Sequence, residues 1–243
     1  MSVLSWARNL AMFLLATALA ATASPADAAT RAGTIVLEVD LSAQDNDGET
    51  RLWVPYPISD RNQTIREVGV SGDYAAAWVG TEPRSGTAIL YAQWPKASAR
   101  RRLALAFSVE RTEVVRREPP AAAPAWNPGD YAVYLQPTSL GPLDGKVREL
   151  ADRITAGKGT VLTKARAIYD WTVETMYRDP NVKGCGKGDV CALLQNPGGK
   201  CTDISSVFIA LCRSAGVPAR EVYGLRLGRK AEDDATTWQH CWV

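Results

Sequence analysis

The chain has 243 residues, 46% hydrophobic and 22% charged, with a formal net charge of +2. That length suits one large domain or two modest ones, and the composition is ordinary for a globular chain. With no basic run longer than Arg100-Arg101-Arg102, which reads as a solvated turn, nucleic-acid binding has no electrostatic footing.

Residues 1–28 read as a secretory leader. Arg8 supplies a positive start, Leu10 to Ala21 is a nearly unbroken apolar run, and Ala21-Thr22-Ala23 and Ala26-Asp27-Ala28 are small-x-small cleavage sites. The apolar run is short for a membrane span. An uncleaved N-terminal anchor is the competing reading. Export with cleavage near Thr22 to Thr30 is the expectation, leaving no stable membrane anchor. No cysteine lies near the cleavage region, so a lipoprotein is not indicated.

Residues 30–116 read as a β-sandwich-like domain. Ile35, Leu37, Val39 and Leu41 alternate with polar or outward positions, as do Leu52, Val54 and Tyr56. Ile65, Val68 and Val70 form a weaker run, Ile89 to Trp94 a fourth, and Leu103, Leu105, Phe107 and Val109 the clearest. Turn residues at 45–48, 59–62, 71–73 and 84–86 separate them. The region contains no histidine or cysteine, so a structural or substrate-presenting role is expected.

A linker is expected over 117–135, stiffened by the Pro-Ala run 118–124. Residues 136–243 then read as an α+β core. Asp144 can cap a helix with Val147, Leu150, Ala151 and Ile154 on one face, closed by Gly157. Thr160 can cap the next, with Leu162, Ala165, Ile168, Tyr169, Thr172 and Met176 inward. Asp189 to Leu194 reads as a short helix before the turn Asn196-Pro197-Gly198-Gly199. Ile204, Val207, Phe208, Leu211 and Ala215 form the apolar stripe of a further helix, stopped by Gly216 and Pro218. Residues 220–227 and 236–243 read as strands around a charged loop.

Cys201 opens the striped helix. Unpaired first-turn N–H groups and the helix dipole favour an anion there, Lys200 adds a cation, and a thiol so placed becomes nucleophilic. The plainer reading is a buried free cysteine. All 5 cysteines, Cys185, Cys191, Cys201, Cys212 and Cys241, lie in the second half. The odd number leaves at least one unpaired in an exported protein. Cys212 reads as packed. Cys185 and Cys191 flank a short loop and are expected to pair. A metal site with His240 and Cys241 was the alternative, but there is no C-x-x-C pair, so neither metal nor cofactor is expected.

Gly199-Lys200-Cys201-Thr202-Asp203, the helix after it, Gly216-Val217-Pro218-Ala219-Arg220 and the distal Gln239-His240-Cys241-Trp242 resemble the core motif of the transglutaminase-like superfamily. The resemblance covers about the second half of the chain. It implies a papain-like α+β fold with the cysteine helix against an antiparallel sheet. It also implies a Cys201 nucleophile, His240 as its base, and acyl transfer on a peptide or protein substrate, most simply in a bacterial periplasm. Gln195, Trp171 and Tyr177 are the candidate oxyanion donors beside the Cys201 N–H, with Trp171 and Tyr177 also readable as core. The family's orienting acid belongs on the strand after the histidine, and only Cys241, Trp242 and Val243 follow His240. An impaired centre is therefore expected. Asp203 reads as a helix-terminus charge rather than a third catalytic member. The alternative from another class is a non-catalytic exported binding or scaffold protein on the same fold.

Overall fold

The computed structural model describes residues 29–44, 48–115, 125–226, 228 and 230–243. The expected leader, the whole Pro-Ala run 118–124 and residues 45–47 lie outside the described residues. The chain divides into two units, one holding residues up to 117 apart from 83–85, the other the rest.

The first unit is two three-stranded antiparallel sheets. One has the order β1 (Thr30–Asp40), β6 (Arg102–Thr112), β3 (Gln63–Gly72); the other β2 (Thr50–Pro55), β5 (Ala88–Trp94), β4 (Ala76–Thr81). Val54, Leu90, Ala92 and Trp94 of the second sheet share one buried cluster with Leu103 and Leu105 of the first. Alternation puts these residues on inner faces, as in a sandwich. The strand β4 is absent from the sequence reading because Ala76, Ala77 and Gly80 carry little apolar signal.

Burial corrects two further expectations. The expected inner row of β1 is only partly covered: Ile35, Val39 and Leu41 are half-buried and Leu37 is 37% exposed, on an edge strand paired only with β6. Arg101 is not a solvated turn residue. It is 7% exposed, its N–H donates to Ser42 Oγ at 3.0 Å and its Nη1 to the Gln44 carbonyl at 3.0 Å. On the outer face of the second sheet Trp53, Tyr91 and Trp78 stand in register across three strands, with ring centroids 5.3 and 4.1 Å apart. Such cross-strand pairs contribute roughly 0.5–1.5 kcal/mol each.

The second unit is built round a central helix. Residues Pro128–Leu135, expected within the linker, form a 3-10 segment whose Tyr134 carbonyl accepts from Ala219 N–H at 3.2 Å. Helix α1 (Gly145–Ile154) begins after Asp144, which makes no side-chain cap. Helix α2 (Val161–Thr175) opens on a reciprocal cap: Thr160 Oγ1 accepts from Thr163 N–H at 3.2 Å, and Thr163 Oγ1 accepts from Thr160 N–H at 3.2 Å. Its inward face holds Ala165, Ile168, Thr172 and, at the C-cap, Met176, but Leu162 and Tyr169 are exposed and Val161 and Trp171 pack in their place. Asp189 caps the short α3 (Val190–Leu193), its Oδ1 accepting from Ala192 N–H at 3.1 Å.

Helix α4 (Cys201–Ser214) touches the 3-10 segment, α1, α2 and α3. It also touches β8 (Gly198–Gly199), which pairs parallel with β7 (Tyr177–Arg178), and β10 (Gln239–Trp242), which pairs antiparallel with β9 (Val222–Leu225). So many neighbours bury more than the expected stripe: Ser205, Ile209, Ala210, Cys212 and Ser214 are inside with Val207 and Leu211. The helix ends in a Schellman motif. Val217 N–H donates to the Cys212 carbonyl at 2.8 Å and Gly216, at φ +78°, donates to Arg213 at 3.0 Å.

Candidate functional site around Cys201

Cys201 is the first residue of α4, half-buried. The backbone before it arrives through Gly198-Gly199, laid against Tyr177-Arg178. Asp203 then organises the surroundings. It is buried, its Oδ2 accepts from Lys200 N–H at 2.9 Å, and its Oδ1 accepts from Lys187 and Gly188 N–H, both at 2.9 Å. One carboxylate thus ties the helix start to the glycine-rich loop 184–188. The fit requires glycine: a Cβ on Gly186, at φ +96°, would lie 2.0 Å from Asp203 Oδ2. The same loop sets the Cys185 carbonyl on Thr202 N–H at 3.1 Å. Sequence reading placed Asp203 at the helix terminus but did not find this loop-holding role.

Three thiols converge here. Cys241 Sγ lies 3.5 Å from Thr202 Oγ1 and 3.9 Å from Ser205 Oγ, and the Cys185 carbonyl ties its loop to the residue after Cys201. Burial opposes charge on Cys201, but hydrogen bonds from the Cys241 N–H and S–H, the Thr202 N–H and the Cys185 S–H outweigh it and hold the thiol below its ordinary value. Burial and the adjacent Glu221 carboxylate push Cys241 up to about 12, so it stays a protonated donor. Glu221 Oε2 accepts from Tyr223 Oη at 2.6 Å, and burial followed by that carboxylate raises the tyrosine. Glu221 Oε1 is buried without a hydrogen-bond partner among the described residues.

His240 stands elsewhere. Side chains alternate along β10, so Cys241 faces α4 while His240 shares the other face with Trp242, their rings 6.1 Å apart. The Trp242 ring covers Gly224, the register partner of His240. Burial, then the Arg226 charge, hold the imidazole below its usual value. Among the described residues His240 forms no hydrogen bond with Cys201. The structure therefore brings Cys241, not His240, to the thiol. The signal for this lay in the sequence: in a strand reading Gln-His-Cys-Trp, only one of the two central side chains can face a helix packed on it.

The other candidates are dispersed. Gln195 is exposed in the turn after α3, and Trp171 packs on the helical core beside Leu194. Tyr177 is exposed, but its ring lies against Gly198, where a Cβ would come within 2.8 Å of it. The Lys200 charge lowers Cys185. Cys185 and Cys191 are both free, as are the other cysteines: the pairing expected between them is not formed, and the Cys185 carbonyl accepts from Thr202 N–H. Cys212 is 1% exposed and burial raises it to about 12. Among the described residues no group of three or more His, Cys, Asp or Glu is placed to hold a metal ion, and no helix is long and apolar enough to cross a membrane.

A helix-start cysteine in this frame, followed by the Gly216–Arg220 segment and a strand with His240, is matched by the family model of the transglutaminase-like superfamily over residues 148–243. That match takes in α4 and the β9–β10 pair. In the wider chain, an "Uncharacterized protein" of Haemophilus influenzae is 40% identical over 192 residues, which cover 74% of this chain and 51% of that protein. The chain thus spans about half the length of this curated relative. The solved structure of "a Putative Cysteine Protease from Cytophaga hutchinsonii" superposes with a TM-score of 0.62, covering 88% of this chain and 73% of that one at 17% identity. At that identity the likeness shows the fold: a β part followed by a transglutaminase-like, papain-like α+β core.

Proposed function

We propose that this chain is an exported, cysteine-dependent acyl-transfer protein acting on peptides or proteins outside the cytoplasm. The observation that supports it is the Cys201 thiol at the start of α4, held below its ordinary value by three neighbours, Cys241, Thr202 and Cys185. Cys201 Sγ attacks a carboxamide or peptide carbonyl. The oxyanion that forms is met by the Cys201 N–H, unpartnered within the helix, and Tyr177 is the oxyanion candidate whose ring lies against the approach strand. Collapse breaks the C–N bond and leaves a thioester. The neutral His240 imidazole is the proposed carrier: it takes the Cys201 thiol proton and then gives it to the departing amine. Water then gives the acid, whereas a primary amine gives a new amide. No metal or cofactor enters this scheme.

The reading includes an impairment. His240 faces Trp242 rather than Cys201, and a base must come within hydrogen-bond reach of the proton it moves. Slow turnover is the expected result. That same geometry favours the second reading, a binding or scaffold protein on this fold.

The test is ammonia release from a glutamine-containing peptide library, alongside incorporation of a fluorescent primary amine into a glutamine-rich protein. Either activity, lost in Cys201→Ala and reduced in His240→Ala, supports the enzyme. Activity that survives Cys201→Ala overturns the nucleophile. Absence of both activities, with no covalent adduct on Cys201 from a peptide electrophile, selects the scaffold.

A further inference from the structure

The three-thiol cluster has a use that acyl transfer does not require. Cys185 and Cys241 both lie beside the start of α4, each in contact with Thr202, and they differ in setting. Cys241 sits in a strand, buried and held between Thr202, Ser205 and Glu221. Cys185 lies between Gly184 and Gly186, at φ +62° and +96°, in a loop whose only charged anchor among the contacts above is Asp203. Its carbonyl is already hydrogen-bonded to the residue after Cys201. Disulfide closure needs the two Cα atoms within about 7 Å and Cβ vectors that converge. A thiol on a glycine-flanked loop meets that demand with less distortion than one in a paired strand.

We infer that Cys185 is the resolving thiol of a reversible disulfide with Cys201, which takes the nucleophile out of use when low-molecular-weight disulfides accumulate. The inference rests on the proposed reactivity of Cys201. In the first step the Cys201 thiolate attacks one sulfur of the external disulfide. A mixed disulfide forms, the external S–S bond breaks, and one thiolate leaves. In the second step the Cys185 thiolate attacks Cys201 Sγ, its proton passing to water. The internal S–S bond forms and the second external thiolate leaves. Two protein thiols are oxidised and one disulfide is reduced to two thiols.

The order follows from the electrostatics. Burial, then the Cys201 charge and its hydrogen bond, raise Cys185, while Lys200 lowers it. Once Cys201 carries the mixed disulfide its charge is gone, which removes one of the influences that raise Cys185; burial and Glu221 still oppose Lys200 there. Cys185 becomes the better nucleophile at the moment it is needed. Cys241 keeps Glu221 beside it and remains protonated.

The experiment treats the full chain with graded glutathione disulfide, quenches with acid, and maps disulfides by mass spectrometry without reduction. The expected product is a Cys185–Cys201 linked peptide that dithiothreitol reverses, with Cys201 alkylation falling at least tenfold in the oxidised form and recovering on reduction. In Cys185→Ser the expected product is a persistent glutathione adduct on Cys201. A Cys201–Cys241 link, or the same glutathione adduct in equal yield in both proteins, overturns the assignment. A reduced protein whose Cys201 alkylates no faster than free cysteine overturns the nucleophile instead, and the two failures are read separately.

Discussion

At the N-terminal end of α4, two further thiols and a buried carboxylate gather round Cys201; at its C-terminal end, cations close the last carbonyls. There Arg148 Nη1 donates to the Ser214 carbonyl, Lys164 Nζ donates to Ala215 at 2.9 Å, and Arg213 donates to Ala219 at 2.9 Å and to Gln136 at 2.7 Å. Both ends satisfy orphan backbone groups, as helix ends must, but only one leaves donors for a reacting atom. The two cysteines of the helix register the difference. Cys201 is lowered by hydrogen bonds, and Cys212, three turns on among apolar side chains, is raised to about 12. Position along one helix, more than residue type, decides which thiol does chemistry.

The comparison breaks most visibly at Asp203. Asp203→Ala leaves the Lys187, Gly188 and Lys200 N–H groups without their acceptor, and we expect a loss of roughly 3 kcal/mol in chemical denaturation, at the scale of charged hydrogen bonds. It also frees the 184–188 loop, so the rate advantage of Cys201 over exposed Cys191 in alkylation should fall. At the other end, Arg213→Met removes two carbonyl contacts and should cost about 2 kcal/mol, with the Cys201 alkylation rate unchanged within twofold. If the C-terminal variant slows Cys201 as much as the N-terminal one, the ends are not independent.

A smaller effect sharpens the place of His240. It is the chain's one histidine, so its imidazole proton titrates alone in an NMR spectrum. Burial and Arg226 hold its pKa below the usual 6.5, so folding favours the neutral ring. The stability this contributes is present above the unfolded pKa and is lost as pH falls through the folded one. Arg226→Gln should move the titration upward. A titration at or above 6.5 in the unaltered chain would remove Arg226 and burial as its environment.

Much of this site was legible in the sequence. The stripe from Ile204 to Ala215, closed by Gly216 and Pro218, gave the helix and so the setting of Cys201. The caps at Thr160 and Asp189 could be read because short polar side chains before apolar runs have few other uses. What escaped was non-local. Cys185 and Asp203 meet through a glycine loop whose course no periodicity records. The face that β10 turns to α4 depends on register, where one residue separates Cys241 from His240. The weak burial of β1 escaped because alternation reports a strand but not whether a sheet covers it.

The most direct measurement is the rate of iodoacetamide alkylation at each cysteine against pH, assigned by mass spectrometry on the folded chain. The account predicts that Cys201 turns on with a midpoint below the roughly 8.5 of an unperturbed thiol, while Cys212 stays unlabelled until the protein unfolds. A Cys201 midpoint at or above that of an unperturbed thiol, or labelling of Cys212 first, would contradict it.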